Sequence, residues 1–136
     1  MQSKVVGQTQ SSGFQVGVRR TFDIPVEDAW DLIVSAKGVQ LWLGQVDSVT
    51  WEKGQHYQSK EGISGEIRTV NPYQNIRLTW KKANWDKPST LQIRTIAKGS
   101  NQTTISFHQE NLSGLDVREE MKMVWEEVLR RLKASI

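Results

Sequence analysis

The carboxy-terminal stretch, residues 116–136, is the feature that most constrains how this chain can fold. Its apolar side chains recur at helical spacing and charged residues occupy the opposite side. The stripe consists of Val117, Met121, Val124, Trp125, Val128 and Leu132. Asp116, with Glu119 three residues later, is typical of the capping box that opens such a helix. A single long amphipathic helix leaves this stripe in water unless it packs against another layer.

The stretches before that helix alternate apolar and polar residues, as half-buried strands do. Strands are predicted over residues 14–23, 46–51, 56–59, 64–70, 76–82, 91–98 and 103–111. Turn residues separate them at distances too short for parallel crossovers, so neighbouring strands are expected to be antiparallel. The chain therefore predicts an α+β fold in which one sheet packs on the last helix.

Two short helices are predicted after the first strand. Pro25 starts the first one, which has an acidic first turn and an apolar stripe within residues 26–34. Gly38 is its expected end. A second, shorter helical turn is expected to contain Trp42.

The length of 136 residues suits one domain. We expect a polar amino-terminal arm over residues 1–13 and a single domain over residues 14–136. The absence of cysteine excludes disulfides, thiol nucleophiles and thiolate zinc sites. The amino terminus lacks the apolar core of a signal peptide, and no apolar run reaches the roughly 20 residues of a membrane span. A cytoplasmic protein without membrane insertion is therefore expected.

The net charge of +3 arises from acidic and basic residues that are mixed along the chain. The densest basic stretch with an aromatic residue contains Lys81, Lys82, Trp85 and Lys87. Such a stretch can hold phosphates and stack a base, but a solvated loop between strands explains it equally well. Because no nucleic-acid motif accompanies it, no nucleic-acid partner is predicted.

The titratable residues form no recognisable catalytic set. His56 and His108 are the only histidines, and no carboxylate stands at metal-ligand spacing from either of them. A serine nucleophile with its base and orienting acid cannot be nominated either. We therefore predict no catalytic residue, no metal ligand and no cofactor.

Several short words, in this order and spacing, resemble the START-like (SRPBCC) superfamily, and within it the family of activator of heat-shock-protein-ninety ATPase homologues (AHSA-like). They span about residues 16–134: Ile24-Pro25-Val26-Glu27-Asp28-Ala29-Trp30, Leu41-Trp42, Gly65-Glu66-Ile67, Leu78-Thr79-Trp80, Thr103-Thr104-Ile105-Ser106-Phe107 and Trp125-Glu126-Glu127-Val128-Leu129. The resemblance implies a helix-grip fold, in which a curved antiparallel sheet of about six or seven strands wraps around the long carboxy-terminal helix.

The chain departs from the family pattern at two places. Lys53-Gly54 stands where the family often has two glycines, and Gln109 stands where it often has a histidine. A glutamine donates and accepts hydrogen bonds but does not transfer protons near neutral pH. Acid-base chemistry at that position is therefore not expected.

A helix-grip architecture predicts a wedge-shaped cavity between the sheet and the last helix. The candidate cavity residues are Arg20, Trp42, Tyr57, Ile67, Trp80, Ile93, Phe107, Gln109, Met121, Val124 and Trp125. The alternative is that most of these side chains simply fill the core. Arg20 falls on the apolar face of its strand and is expected to reach out to solvent at the strand end.

Three functions follow from this interpretation. The first is binding of a hydrophobic or aromatic small molecule in the cavity. The second, implied by the resemblance, is a protein-interaction module with a chaperone as partner. The third is an enzyme of the polyketide cyclase or aromatase kind, which needs a positioned acid or base that this chain does not offer. An empty cavity of several hundred Å³ favours the binder, whereas a filled interior favours the interaction module; the oligomeric state stays open.

Overall fold

In a computed structural model, the protein is described over residues 8–9 and 13–136. The elements in chain order are β1 (Gln8–Thr9), β2 (Gly13–Phe22), α1 (Val26–Val34), α2 (Ala36–Trp42), β3 (His56–Gln58), β4 (Ser64–Asn71), β5 (Asn75–Trp80), β6 (Ser89–Ala97), β7 (Thr103–Leu112) and α3 (Leu115–Ala134). Most of the arm predicted over residues 1–13 lies outside the described residues. Within it, β1 pairs with the start of β2.

The described strands form a seven-stranded sheet in the order β1-β2-β7-β6-β5-β4-β3. Every neighbouring pair is antiparallel, and for the consecutive strands β3 to β7 this is what their short connections predicted. Irregularities interrupt the register between Phe14 and Val16 and between Ile67 and Thr69, and such bulges increase strand twist. The α+β helix-grip prediction is confirmed: helix α3 packs across β2 and β7, and two short helices follow β2.

One face of the sheet and one stripe of α3 form the core. Inward-facing residues of the central strands, such as Ile76, Leu78 and Ile105, are completely buried. The predicted stripe of α3 is buried at Met121 and Trp125 and continues along the helix. Removing each such side chain from water stabilises the fold by about 1.5–3 kcal/mol, so this interface holds the helix in place.

The strand predicted over residues 46–51 is wrong. The segment has no regular structure, although its alternating Val46, Val49 and Trp51 pack partly buried against the core. Just before it, the backbone of Gln45 bonds to the Lys60 amide and the Glu61 carboxylate, which anchors the segment to a loop rather than to a strand. The alternation of apolar and polar residues in this segment reflects partial burial against the core. It does not reflect hydrogen-bonded pairing with another strand.

The predicted helix end at Gly38 is also wrong, because α1 already ends at Val34 and Gly38 lies within α2. Ser35 makes the break: its backbone is extended, and its hydroxyl accepts the Gly38 amide at 3.0 Å and donates to Leu32 O at 2.9 Å. A Cβ on residue 38 would stand 1.8 Å from Leu32 O. Glycine is needed at this close approach between the two helices.

The predicted capping box does not form. Helix α3 begins at Leu115, so Asp116 lies in its first turn, and the N-cap position belongs to Gly114. Glu119 accepts a hydrogen bond from Arg118 at 2.6 Å instead of reaching back to the cap. Asp116 still stands where a carboxylate is favourable, close to the positive end of the helix dipole.

Candidate functional site

Large aromatic side chains fill the space between the middle of the sheet and α3. The ring of Phe107 stacks on Trp125 with centroids 5.1 Å apart, and Trp125 meets the edge of Trp80 at 5.5 Å. Each of the three is at most 1% exposed. The inward direction of β5 and β7 places Trp80 and Phe107 there, and the helical stripe brings Trp125 against them.

A chain of buried hydrogen bonds runs through this aromatic group. The indole N–H of Trp125 donates to Gln109 Oε1 at 2.8 Å, and Gln109 Nε2 donates to Ser89 Oγ at 2.8 Å. Ser89 in turn donates to the carbonyl of Trp80 at 2.6 Å. Gln109 is 0% exposed, so both ends of its amide are engaged in the interior. The network ties helix α3 to strands β5, β6 and β7.

One polar atom beside this network lacks a partner. The indole Nε1 of Trp80 is shielded from solvent and makes no hydrogen bond within the described residues. Buried donors are rarely left in this state, because the lost hydration is not replaced. The Trp80 indole is therefore an unsatisfied buried donor beside the network.

An open cleft of about 710 Å³ lies at the end of the sheet next to this interior. The β5–β6 loop at residues 84–87 forms one wall, and residues 111–113 with the start of α3 form the other. Trp85 stands in the loop wall, half-buried, and its ring meets the edge of Trp80 at 5.4 Å. An unbroken series of aromatic contacts therefore runs from the cleft into the core.

The charges around the cleft are mixed. Lys82 forms an ion pair with Glu120 of α3, which links the loop wall to the helix wall. Asp86, Lys87 and Glu120 line the cleft itself, together with Val117. Opposite charges in such numbers nearly cancel, so the cleft has no strong preference for an anion or a cation.

The structure brings four of the sequence candidates into one contact group: Trp80, Phe107, Gln109 and Trp125. Ile67, Ile93 and Met121 are buried in the surrounding core, and Val124 is partly buried against it. None of these side chains lines the open cleft. They form the interior behind it.

Three further candidates lie apart from that group. The indole of Trp42 donates to Ile33 O at 2.9 Å beneath the short helices, and its ring lies 6.0 Å from Trp51. The hydroxyl of Tyr57 donates to the carbonyl of Thr79, and burial raises the pKa of Tyr57, so the phenol stays protonated. Arg20 is exposed beside α3, in a shallow groove at the side of the sheet, as its predicted reach to solvent requires.

The described titratable residues do not cluster as metal ligands. His108 Nε2 lies 3.1 Å from Gln15 Oε1 on the outer face of the sheet, away from α3. Within residues 8–9 and 13–136, no three histidine or carboxylate side chains come together in a way that would hold a metal ion. Helices of the described chain are also too short or too polar to cross a membrane.

Sequence reasoning did not assign Trp85 or Ser89 to the site. Ser89 starts a strand and carries no distinguishing pattern, so its role as relay between Gln109 and the Trp80 carbonyl depends on the folded register. Trp85 carried a signal, because a tryptophan within a polar loop is uncommon. A tryptophan in such a loop indicates a contact surface, and in the structure Trp85 lines a cleft.

The family model described as "Activator of Hsp90 ATPase homolog 1-like protein" matches residues 23–136. The chain belongs to this family. The match begins at the end of β2 and includes the cleft walls and the whole of α3. No curated protein matches the sequence.

Solved structures share the fold at low sequence identity. An Hsp90 activator from Plasmodium falciparum superposes with a TM-score of 0.77 at 20% identity, covering 90% of this chain and 95% of that one. Protein MLL2253 from Mesorhizobium loti gives a TM-score of 0.75 at 19% identity, covering 88% and 94%. CalU16 from Micromonospora echinospora gives 0.74 at 18% identity, covering 89% and 74%. Family membership supports a ligand-binding domain of the START-like kind, and these likenesses describe its fold alone.

Proposed function

We propose that this protein binds a small hydrophobic or aromatic molecule in the cleft between residues 84–87 and the start of α3. The observation that carries the proposal is Trp85, a half-buried indole on the cleft wall whose ring contacts the buried Trp80. Ligand sites are concave, largely apolar and marked by a few polar groups. This cleft is concave, and Trp85, Leu112 and Val117 give it apolar surface among its polar and charged side chains.

The filled interior limits where the ligand can lie. Trp80, Phe107 and Trp125 already occupy the space that an enclosed cavity would need. The proposed ligand therefore contacts Trp85 at the mouth, and the sequence candidates serve as the rigid wall behind it.

Catalysis forms no part of the proposal. The buried polar groups next to the cleft are an amide, a hydroxyl and indoles, none of which exchanges protons near neutral pH. We also propose that the protein is cytoplasmic, as expected from the sequence.

The experiment is a fluorescence titration with anilinonaphthalene sulfonate as the hydrophobic probe. Trp85→Ala is compared with Trp51→Ala, a matched control because Trp51 is also a half-buried tryptophan but lines a different cleft. We expect Trp85→Ala to weaken probe binding about tenfold, equivalent to ~1.4 kcal/mol, and Trp51→Ala to leave it unchanged. Equal affinity of both variants and the parent protein would contradict the proposal.

A second candidate function is a protein-interaction module acting on the Hsp90 ATPase. The filled interior favours it, because a protein partner needs an outer surface and no internal cavity. The family's description and the Hsp90 activator with the same fold supply the partner. Purified Hsp90 should then hydrolyse ATP faster when this protein is added. An unchanged rate at saturating protein would remove this candidate.

A further inference from the structure

A second, smaller cleft lies at the opposite end of the sheet. It has a volume of about 430 Å³ and is formed where β6 runs past the β4–β5 turn and meets the first residue of α1, Val26. Tyr73 and Gln74 provide the turn side, and Arg94 and Thr95 provide the strand side. No residue is shared with the cleft beside Trp85, so this feature is independent of the proposed function.

Tyr73 occupies a backbone conformation that tyrosine rarely adopts. Its φ is +65°, in the left-handed region, and its side chain is 49% exposed. The ring lies 6.1 Å from that of Trp30 in α1, which holds it at the cleft edge. A glycine or asparagine would suit this turn position without strain. Strained side chains of this kind concentrate at ligand sites, where the ring itself is needed.

Arg94 supplies the charge. It is exposed beside the cleft, and its partner on the neighbouring strand β5 is Asn75. Neither an ion pair nor a hydrogen bond engages its side chain within the described residues, whereas the nearby Arg77 pairs with Glu110 at 3.3 Å. The guanidinium of Arg94 is thus free to bind a carboxylate through two parallel hydrogen bonds.

Thr95, the next residue of β6, points to the interior, on the opposite face of the strand from Arg94. The residue is 6% exposed, and its hydroxyl is shielded from solvent with no hydrogen-bond partner within residues 8–9 and 13–136. Its backbone N–H donates to Gln74 O at 2.9 Å, which fixes the turn against the strand. Thr95 therefore contributes to the cleft by positioning the turn, and the carboxylate contact rests on Arg94 alone.

We propose that this cleft binds a small aromatic carboxylate, with the ring against Tyr73 and the carboxylate on Arg94. Phosphate has no ring to lie against Tyr73, so an aromatic carboxylate fits the cleft lining better. The aromatic ring then provides the affinity that one exposed ion pair lacks.

The test is an NMR titration of the 15N-labelled protein with benzoate, together with three probes that each lack one feature. Acetate lacks the ring, benzamide lacks the charge, and phosphate replaces both. We expect benzoate to shift the amide signals of residues 73–75 and 94–97 and to bind more tightly than the other three. Equal binding of benzamide or phosphate, or benzoate shifts confined to residues 84–87, would overturn the proposal.

Two variants separate binding from folding. Arg94→Gln should weaken benzoate binding about two- to fivefold, because the charge-assisted hydrogen bonds that are lost lie at an exposed position. Tyr73→Gly removes the ring and relieves the left-handed backbone, so it should weaken benzoate while the thermal midpoint stays level or rises. Unchanged benzoate affinity in either variant would contradict the proposed contacts.

Discussion

The interior beneath α3 and the open cleft next to it both contain tryptophan, but they bury it to different extents. Trp125 is fully buried, stacked on Phe107 and hydrogen-bonded to Gln109. Trp85, two aromatic contacts away, is half-buried in a loop and borders open space. Trp125 has no exposed surface, whereas part of the Trp85 indole borders the cleft.

Within this series of aromatic contacts, we therefore expect the fully buried side chains to contribute to stability and the partly exposed one to contribute to binding. A side chain that is packed on every side contributes to the free energy of folding and has no surface left for a ligand. A side chain that is packed on one side can serve both purposes, and its loss costs less stability. Substitutions along the series should therefore show opposite effects on unfolding and on binding.

Trp125→Ala should give the largest effect on stability. Removing a fully buried indole leaves a cavity and deprives Gln109 of its donor, so we expect a loss of about 3–5 kcal/mol in the free energy of unfolding. Urea denaturation followed by far-ultraviolet circular dichroism measures it. A loss below that of Trp85→Ala would contradict the distinction between interior and mouth.

Gln109→Leu tests the buried network and should rank second. Leucine keeps much of the volume but leaves the Trp125 indole without an acceptor and the Ser89 hydroxyl without a donor, which costs about 1–3 kcal/mol. Gln92→Leu is the matched control, because Gln92 lies on the outer face of the neighbouring strand. The same urea experiment compares them, and equal losses would show that the network contributes nothing.

Trp85→Ala should cost only about 1–2 kcal/mol of unfolding free energy, since its side chain is only partly buried and one aromatic contact is lost. Thermal unfolding measures this effect alongside the probe titration. A folded variant with reduced probe affinity sharpens the comparison, whereas global unfolding would place Trp85 in the core.

The exposed side of α3 should give the smallest effect. Hydrogen bonds from Arg130 lower the pKa of Glu127 to about 2, and Arg131 adds a further contact. A carboxyl with a lowered folded-state pKa stabilises the fold above its ordinary pKa of 4.5, and this contribution disappears as the pH falls to about 2.

The measurement is the difference in thermal midpoint between the parent protein and Glu127→Gln at several pH values. We expect a small difference at pH 7 that shrinks below pH 4.5 and also shrinks with added salt, since these side chains are exposed. A difference that grows in acid would contradict this interpretation.

The sequence predicted the interior better than the mouth. The helical stripe of α3 and the alternation in β5 and β7 decide which side chains face inward, so the meeting of Trp80, Phe107 and Trp125 follows from two periodicities. The role of Gln109 did not follow from them. A single polar residue at an inward position is compatible with either a ligand contact or an internal bridge, and only the positions of Ser89 and Trp125 decide.

The features that the sequence did not predict lie in loops and turns. Trp85 faces the cleft because of the particular path between β5 and β6, which no periodic pattern encodes. Residues 46–51 show the reverse failure: the alternation of a strand is present, but the segment is anchored to a loop and no ladder forms in this part of the described chain. The left-handed conformation of Tyr73 could not be predicted either, since tyrosine does not normally favour it.

The measurement that tests the central claim most directly is a map of amide chemical-shift changes during titration with anilinonaphthalene sulfonate. If the ligand binds at the mouth, the largest changes fall on residues 84–87 and 111–117, and the signals of Phe107, Met121 and Trp125 move little. If the largest changes fall on Phe107, Met121 and Trp125 instead, the ligand enters the interior and the account is wrong.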